Sequence, residues 1–368
     1  MAENVLYYLA AAMPFLVCLF WTVSLILENS TGRGQGRPGK VFLAFVSVST
    51  LLYACHFLHF AVENPDIIGI SDSVWVFCNL SVYPLFTIWI ARLTSVSRPR
   101  IHWALMLLPA VVCSLLSFLL GFLGKDQWAL LLCVKIIFSI EVVFTLVFGV
   151  VRLREFRRTV ANFYADTEGR ELRSVGLMLT LLLATSAISF VANLIGRDAF
   201  YGSSLLLVPS VIFSALLYSI CYIGQLPVFD SASFQKEILG EKEEPEEVQE
   251  ESAENSFRME QLMKAIVAVM ENDRLYLQHG LKITDLAAAV GSNRTYVSNC
   301  INKNMGTTFS DYVSRYRIKA AISLLEEAPE AFNIETVGWK SGFSSRSQFW
   351  RSFKKETGMS PSEWLEKR

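Results

Sequence analysis

Ten side chains between residues 294 and 355 have the chemistry of nucleic-acid contact. Arg294 and Arg346 each carry paired donors that match the edge of guanine in a major groove, and Gln348 carries the donor and acceptor that match adenine. Thr295, Ser298, Ser345, Ser347, Arg351, Lys354 and Lys355 offer hydroxyls and cations suited to phosphate oxygens, contacts that set register without reading sequence. Such side chains work only on a rigid element that fits a groove. Elsewhere no nucleophile stands at a useful spacing from a base, and no cysteine or histidine spacing reads as a closed metal site. Catalysis and a bound cofactor are therefore not expected.

The elements that would position these residues are legible around them. Thr284 is placed to cap a helix DLAAAV, Gly291 to turn the chain, and Ser292 to cap the helix NRTYVSNCINK. Leu286, Ala287, Val290, Val297 and Ile301 supply the packing between these two helices, while Asn293, Arg294, Thr295, Ser298 and Asn299 remain to face outward. Cys300 falls on the apolar side and reads as a packing residue. A second pair begins at Ile334, Val337 and Gly338, turns at Gly342 and continues as SSRSQFWRSFKK, with Phe343, Phe349 and Phe353 as its apolar set. Between the pairs, TTFSDYVSRYRIKAAISLLEE keeps helical periodicity for about 20 residues, hence about 30 Å. That length is close to the roughly 34 Å turn of B-DNA. Residues 256–368 are thus predicted to be a soluble all-α domain with two helix-turn-helix subdomains.

The rest of the chain is a different material. The 368 residues are 52% apolar and 18% charged, with a net charge of −1 and a mean hydropathy of +0.38, too apolar for a wholly soluble protein. The near-zero charge is a cancellation. Residues 1–229 carry 15 Lys/Arg and 12 Asp/Glu, residues 230–255 carry 2 and 10, and residues 256–368 carry 16 and 12. Seven segments reach the roughly 20 apolar residues needed to cross a bilayer: about 5–27, 41–62, 74–93, 102–124, 128–151, 174–195 and 205–224. The fold class that follows is all-α, a polytopic seven-helix membrane bundle followed by the soluble domain. The N-terminus has no basic region and its apolar run is too long for a signal peptide, so the first span is expected to be uncleaved. The strip 230–255 is too polar to bury a core and is read as a solvated acidic linker, with a mimic of DNA that competes for the basic domain as the alternative.

At this point residues 257–368 resemble the C-terminal DNA-binding domain of the AraC/XylS family of bacterial transcription regulators. The resemblance rests on Tyr296, Val297, Lys303, Gly306, Phe309, Tyr312, Arg317, Ile318, Ala321, Leu324 and Leu325, then on Gly342, Phe343, Ser345, Phe349, Arg351, Phe353, Lys354, Lys355, Gly358 and Pro361. It covers under a third of the chain and says nothing of the spans. It implies double-stranded promoter DNA as a partner and a bacterial source, which with the apolar segments gives the bacterial cytoplasmic membrane as the expected location. There are departures: Gly338 stands where alanine is usual, at a cost of about 1 kcal/mol in a helix, Asn299 where a basic residue is common, and Leu365 where an arginine is usual.

Inside the spans a few polar residues resist the background. Lys135 and Glu141 lie in the fifth, about 120° apart on the helix and so not paired with each other. Each would cost about 2.5 to 3.5 kcal/mol at a helix centre, which makes Glu141 above all a candidate signalling residue that needs a partner inside the bundle. His56, His59 and Glu63 share one face at the end of the second span and could hold a metal ion or titrate near neutral pH. Without a third strong ligand, plain hydrogen bonding is the simpler reading. Together these features describe a one-component regulator. Its spans would sense an unknown small-molecule or protein stimulus, its tail would bind promoter DNA, and a homodimer would gain effective concentration on adjacent sites. A transporter or membrane enzyme with a regulatory DNA-binding tail is the alternative, although the spans supply little of a polar path.

Orientation follows from charge. The loops 28–40, 92–101 and 152–173 hold twelve Lys/Arg, whereas the loops on the other side hold only Lys125 and Arg197, which puts the N-terminus outside and everything after residue 225 in the cytoplasm. Reporter fusions after residues 70 and 230 check this. A reporter active only when exported should respond at 70 and stay silent at 230, and the reverse result would remove the tail from the compartment that holds DNA.

Overall fold

The computed structural model describes residues 2–30, 39–61, 65–94, 103–170, 172–195, 207–225, 234, 253–327 and 333–367. They divide into two compact units, Met1–Leu153 with Leu172–Lys236, and Arg154–Glu171 with Glu237–Arg368. The fold is all-α. Among the described residues the β pairing is limited to an isolated antiparallel bridge between Tyr164 and Lys282.

The first unit is built from α1 (Ala2–Ser30), α2 (Lys40–Ala61), α3 (Pro65–Thr94), α4 (Leu108–Phe122), the first part of α5 (Trp128–Phe163), α6 (Arg173–Ile195) and α7 (Leu207–Gln225). Six helices among the described residues are long and apolar enough to cross a membrane. For α6 the apolar stretch that qualifies is shorter, Arg173–Ser189. Helix α2 packs between α1 and α3, α1 also meets α7, α3 meets α4, and α6 meets α7. Hydroxyl pairs link neighbouring helices of this unit. Thr22 and Thr50 join α1 to α2 at 2.8 Å, Thr87 and Thr145 join α3 to α5 at 2.8 Å, and Tyr83 bonds Ser186 between α3 and α6.

The structure gives a longer helix than the fifth apolar segment predicts. Helix α5 does not stop near residue 151 but runs unbroken for 36 residues to Phe163, about 54 Å against a hydrocarbon core of about 30 Å. No proline or glycine interrupts Val151–Phe163, and the apolar positions Leu153, Phe156 and Val160 recur at helical spacing and are buried. From Arg154 onward the helix belongs to the second unit, so the loop 152–173 is not simply a positively charged connector.

The second unit continues with α8 (Ala253–Glu271), α9 (Ile283–Ala289), α10 (Arg294–Met305), α11 (Phe309–Glu327), α12 (Ile334–Lys340), α13 (Arg346–Thr357) and α14 (Pro361–Glu366). Nearly all of the acidic strip 230–255 lies outside the described residues. The two expected helix pairs are α9–α10 and α12–α13. Leu286, Ala287, Val297, Cys300 and Ile301 are buried in the first. Val337, Phe343, Phe349 and Phe353 are buried in the second, together with Ile318, Ala321 and Leu325 of the spacer α11. That spacer has 19 residues, about 28 Å.

Capping differs in detail from the sequence reading. Helix α9 starts at Ile283, one residue ahead of Thr284, and Asp285 accepts from the Lys282 amide at 2.8 Å. Helix α10 is capped by Asn293, whose Oδ1 accepts from the Tyr296 amide at 2.8 Å, rather than by Ser292. Asparagine caps as well as serine, and Asn293 holds the extended backbone that a cap needs. The turns fall where expected, with φ of 65° at Gly291 and 94° at Gly342.

Gly338 has a packing reason. A Cβ there would lie 2.8 Å from Cδ1 of Phe349, a ring that is 1% exposed and cannot withdraw. The helix propensity lost to glycine, about 1 kcal/mol, is outweighed by the roughly 1 to 3 kcal/mol of overpacking it avoids. Gly338→Ala should therefore destabilise the second unit, although propensity alone gives the opposite sign. Native-state hydrogen exchange of the α11 amides in the full chain checks this, with faster exchange expected in the variant.

The deepest polar feature of this unit is an ion pair. Arg317 on α11 is 0% exposed, and its Nη1 lies 2.8 Å from Oδ1 of Asp166, itself 6% exposed. Burial lowers the arginine's pKa and Asp166 opposes that shift. Arg317 Nε also donates to the Tyr276 carbonyl at 2.7 Å and Nη2 to the Gln278 carbonyl at 2.9 Å. Removing one partner of such a pair leaves a buried charge uncompensated, at a cost of about 3 to 5 kcal/mol. Asp166→Ala should thus speed α11 exchange far more than Glu327→Ala, at an exposed position of the same helix; equal effects would mean that the pair holds nothing together.

Candidate nucleic-acid interface

The N-terminal turns of α10 and α13 carry the side chains singled out for contact with DNA. On α10, Thr295 is exposed, while Arg294 and Ser298 are half-buried. The Arg294 guanidinium stands 5.7 Å from the ring centroid of Phe163, and Ser298 accepts from Asn302 Nδ2 at 3.2 Å. On α13, Arg346, Ser347, Arg351, Lys354 and Lys355 are exposed. Arg346 Nη1 meets Glu335 Oε1 at 2.6 Å, with its guanidinium 5.4 Å from the Trp350 ring centroid, and Lys355 Nζ meets Asp311 Oδ1 at 2.6 Å. Exposed ion pairs of this kind are worth about 1 kcal/mol or less, so a phosphate or base can displace them. Phe349 and Phe353 on the opposite side of α13 enter the core and fix which face looks out.

Gln348 and Ser345 are placed differently. Gln348 is 4% exposed. Its Nε2 donates to the Ala165 carbonyl at 2.8 Å, and its Oε1 accepts from the Thr167 amide at 3.2 Å. The amide expected to read adenine is therefore already engaged at both its nitrogen and its oxygen. Ser345 caps α13 by accepting from the Gln348 amide at 3.2 Å, and its hydroxyl also bonds the Glu168 carboxylate.

Both occupants come from the turn after α5. Over Phe163–Glu168 this segment touches the entry to the first helix pair, the spacer and the second helix pair. Ala165 donates to the Leu281 carbonyl at 2.9 Å, and the Ala165 carbonyl accepts from Ser310 Oγ at 2.8 Å. Asp166 Oδ2 accepts from the Gly280 amide at 3.1 Å and from Ser344 Oγ at 2.7 Å, while its Oδ1 faces Arg317. Sequence reasoning missed this segment because the loop was weighed only for its arginines. A signal was present. Val313, Arg317 and Ala321 fall at i, i+4 and i+8 on the buried face of α11, and an arginine in an apolar stripe demands a carboxylate.

Cys300 is 0% exposed beside Met263 Sδ at 3.7 Å, and burial pushes its thiol pKa up, which suits packing and disfavours a reactive thiolate. In the first unit Lys135 lies on the outer surface of the bundle. Glu141 is half-buried, with an enclosed Oε2 that has no hydrogen-bond partner among the described residues. His56 Nε2 accepts from Trp75 Nε1 at 3.0 Å, and His59 Nδ1 lies 3.5 Å from Asp72 Oδ1. The side chain of Glu63 lies outside the described residues, and among these no three ligands gather for a metal ion.

Comparison with known proteins bears on this unit alone. Residues 286–367 match a family model described as a helix-turn-helix domain. Over 88 residues the chain is 33% identical to the uncharacterized HTH-type transcriptional regulator YtdP of Bacillus subtilis, across 24% of this chain and 11% of that protein. Over 87 residues it is 31% identical to the transcriptional regulatory protein HptR of Staphylococcus aureus, across 24% of this chain and 33% of that protein. The chain thus spans about a third or less of the length of these curated relatives. No solved structure matches. The C-terminal part of the chain carries a helix-turn-helix domain.

Proposed function

We propose that this chain is a membrane-embedded, one-component transcription regulator of AraC type. In this reading its apolar helices sense a signal and its helix-turn-helix domain binds promoter DNA at the cytoplasmic face of a bacterial membrane. The observation that carries the reading is the pair of helix-turn-helix units on a 19-residue spacer, with Arg346, Ser347, Arg351 and Lys354 turned outward on α13. It is supported by six apolar helices of spanning length among the described residues and by the regulatory names of the relatives. Arg294 and Arg346 serve as base readers. Thr295, Ser298, Ser347, Arg351, Lys354 and Lys355 hold phosphates. Ser345 and Gln348 join them only when the Phe163–Glu168 segment gives them up.

The sensing role has a thinner basis. Glu141 has an enclosed, unsatisfied carboxylate oxygen on α5, and α5 is the helix that runs on into the second unit. A polar group in that position can favour one of two packings of the bundle. Lys135, the other signalling candidate on α5, is exposed. No reaction is assigned to the chain.

The test is selection from a randomised duplex pool by the full chain in lipid nanodiscs. Enriched sequences should contain two half-sites about one helical turn apart. Arg346→Ala should relax preference at particular positions by about 1 to 3 kcal/mol, whereas Lys354→Ala should weaken all sequences alike and reduce the salt slope by about 1. No enrichment above empty nanodiscs would end the reading. Uniform weakening by Arg346→Ala would move that residue to the phosphate group.

A further inference from the structure

The turn after α5 presents two carboxylates to the start of α13, and they stand in different surroundings. Asp166 is 6% exposed, paired with the fully buried Arg317, and satisfied on its second oxygen by the Gly280 amide and Ser344 Oγ. Glu168 is exposed and meets only Ser345 among the contacts resolved for it. Between them Thr167 gives its amide to Gln348. The hydroxyl that Glu168 engages is the N-terminal cap of a 12-residue helix, where amide dipoles favour an anion. Next to it come Arg346 and Ser347, both exposed. A carboxylate therefore occupies the cap of α13, an end that would suit a DNA phosphate, and the backbone beside it engages the amide of Gln348.

We propose that Glu168 is a built-in phosphate mimic: anchored by the Asp166–Arg317 pair, the Thr167–Glu168 tip occupies Ser345 and Gln348 and must withdraw before the second helix-turn-helix engages DNA. The device rests on the DNA-binding reading above. Its geometry supplies a link to the membrane helices, because Phe163, the last residue of α5, is only five residues before Glu168. A shift of α5 along or about its axis is passed to the tip by this short covalent connection. The exposed contact can yield at little cost, and the buried pair keeps the tip from diffusing away. Release frees a serine hydroxyl, the α13 N-terminus and a glutamine amide, and it removes a negative charge from the path of the DNA backbone.

The test uses the full chain in nanodiscs and a fluorescein-labelled random-sequence duplex of about 40 base pairs, long enough for two half-sites about one turn apart. Glu168→Ala should tighten binding at least about threefold relative to Glu327→Ala, which removes the same charge from an exposed position at the end of α11, since only the first variant also opens the Ser345 cap of α13 to a phosphate. A second variant, Glu168→Cys with Ser345→Cys in a Cys133→Ser background, is closed with a short bis-maleimide and compared with the same protein left unreacted. The closed form should lose about tenfold or more in affinity, because the α13 contacts to phosphate and base are then blocked. Equal effects of Glu168→Ala and Glu327→Ala would overturn the proposal, and so would failure of the two cysteines to link in DNA-free protein. If the linked and unreacted forms bind the duplex equally, the mimic falls while DNA binding stands. If the wild-type chain binds no duplex at all, the functional reading fails and the mimic with it.

Discussion

A guanidinium without solvent dictates the organisation of the second unit. Arg317 lies on the face of α11 that must be buried for the spacer to join the two helix pairs, and its charge cannot be left alone there. Three of its nitrogens are used, on the carbonyls of Tyr276 and Gln278 and on Asp166. Those partners come from the turn before α9 and from the segment after α5, so one side chain ties together chain regions about 150 residues apart in sequence. Asp166 extends the tie by accepting from Ser344 ahead of α13. A buried pair is weak evidence of net stability, since well-packed apolar groups often do as well. What it does enforce is specificity: only a conformation that brings Asp166 to Arg317 avoids the full desolvation cost.

The first unit meets a different constraint. Its apolar helices are joined by small hydroxyl pairs such as Thr22–Thr50 and Thr87–Thr145, the kind of interhelical bond that operates where apolar surface meets an apolar surround. Such bonds average under about 1 kcal/mol in membrane proteins, which leaves neighbouring packings of the bundle close in energy. Helix α5 is common to both units, and its 36 unbroken residues follow from a sequence without a helix breaker between Trp128 and Phe163 other than Gly149.

Much of this was legible in the sequence for identifiable reasons. The long apolar helices are legible because runs of about 20 apolar residues stand out from any soluble pattern. The helix pairs are legible because Gly291 and Gly342 punctuate two strong apolar patterns and because Phe343, Phe349 and Phe353 repeat at helical spacing. Local competition hid the caps, where serine, threonine and asparagine stand side by side and periodicity does not choose among them. Gly338 looked like a departure because the ring of Phe349 that forbids a side chain lies eleven residues away. The Asp166 segment was invisible for a deeper reason. Periodicity reports which face of a helix is buried, but not which distant loop covers it, and the arginines of 152–173 directed attention to the membrane rather than to the two carboxylates among them.

The difference between those two carboxylates decides which contact can move. Separating Asp166 from Arg317 strands two buried charges and costs several kcal/mol, about 3 to 5 for loss of one partner, more than a single phosphate contact repays. Glu168 on Ser345 is an exposed contact in high dielectric and is worth about 1 kcal/mol or less. DNA offers the same hydroxyl a phosphate within a continuous array of charge, with counterion release adding to every contact made. The exchange at Ser345 is therefore close to balanced. A balanced exchange is the kind that a small displacement of α5 can tip, whereas a contact as strong as Asp166–Arg317 would ignore it. In the proposed device the two duties are separated within three residues of chain: the buried acid fixes where the tip is held, and the exposed acid responds.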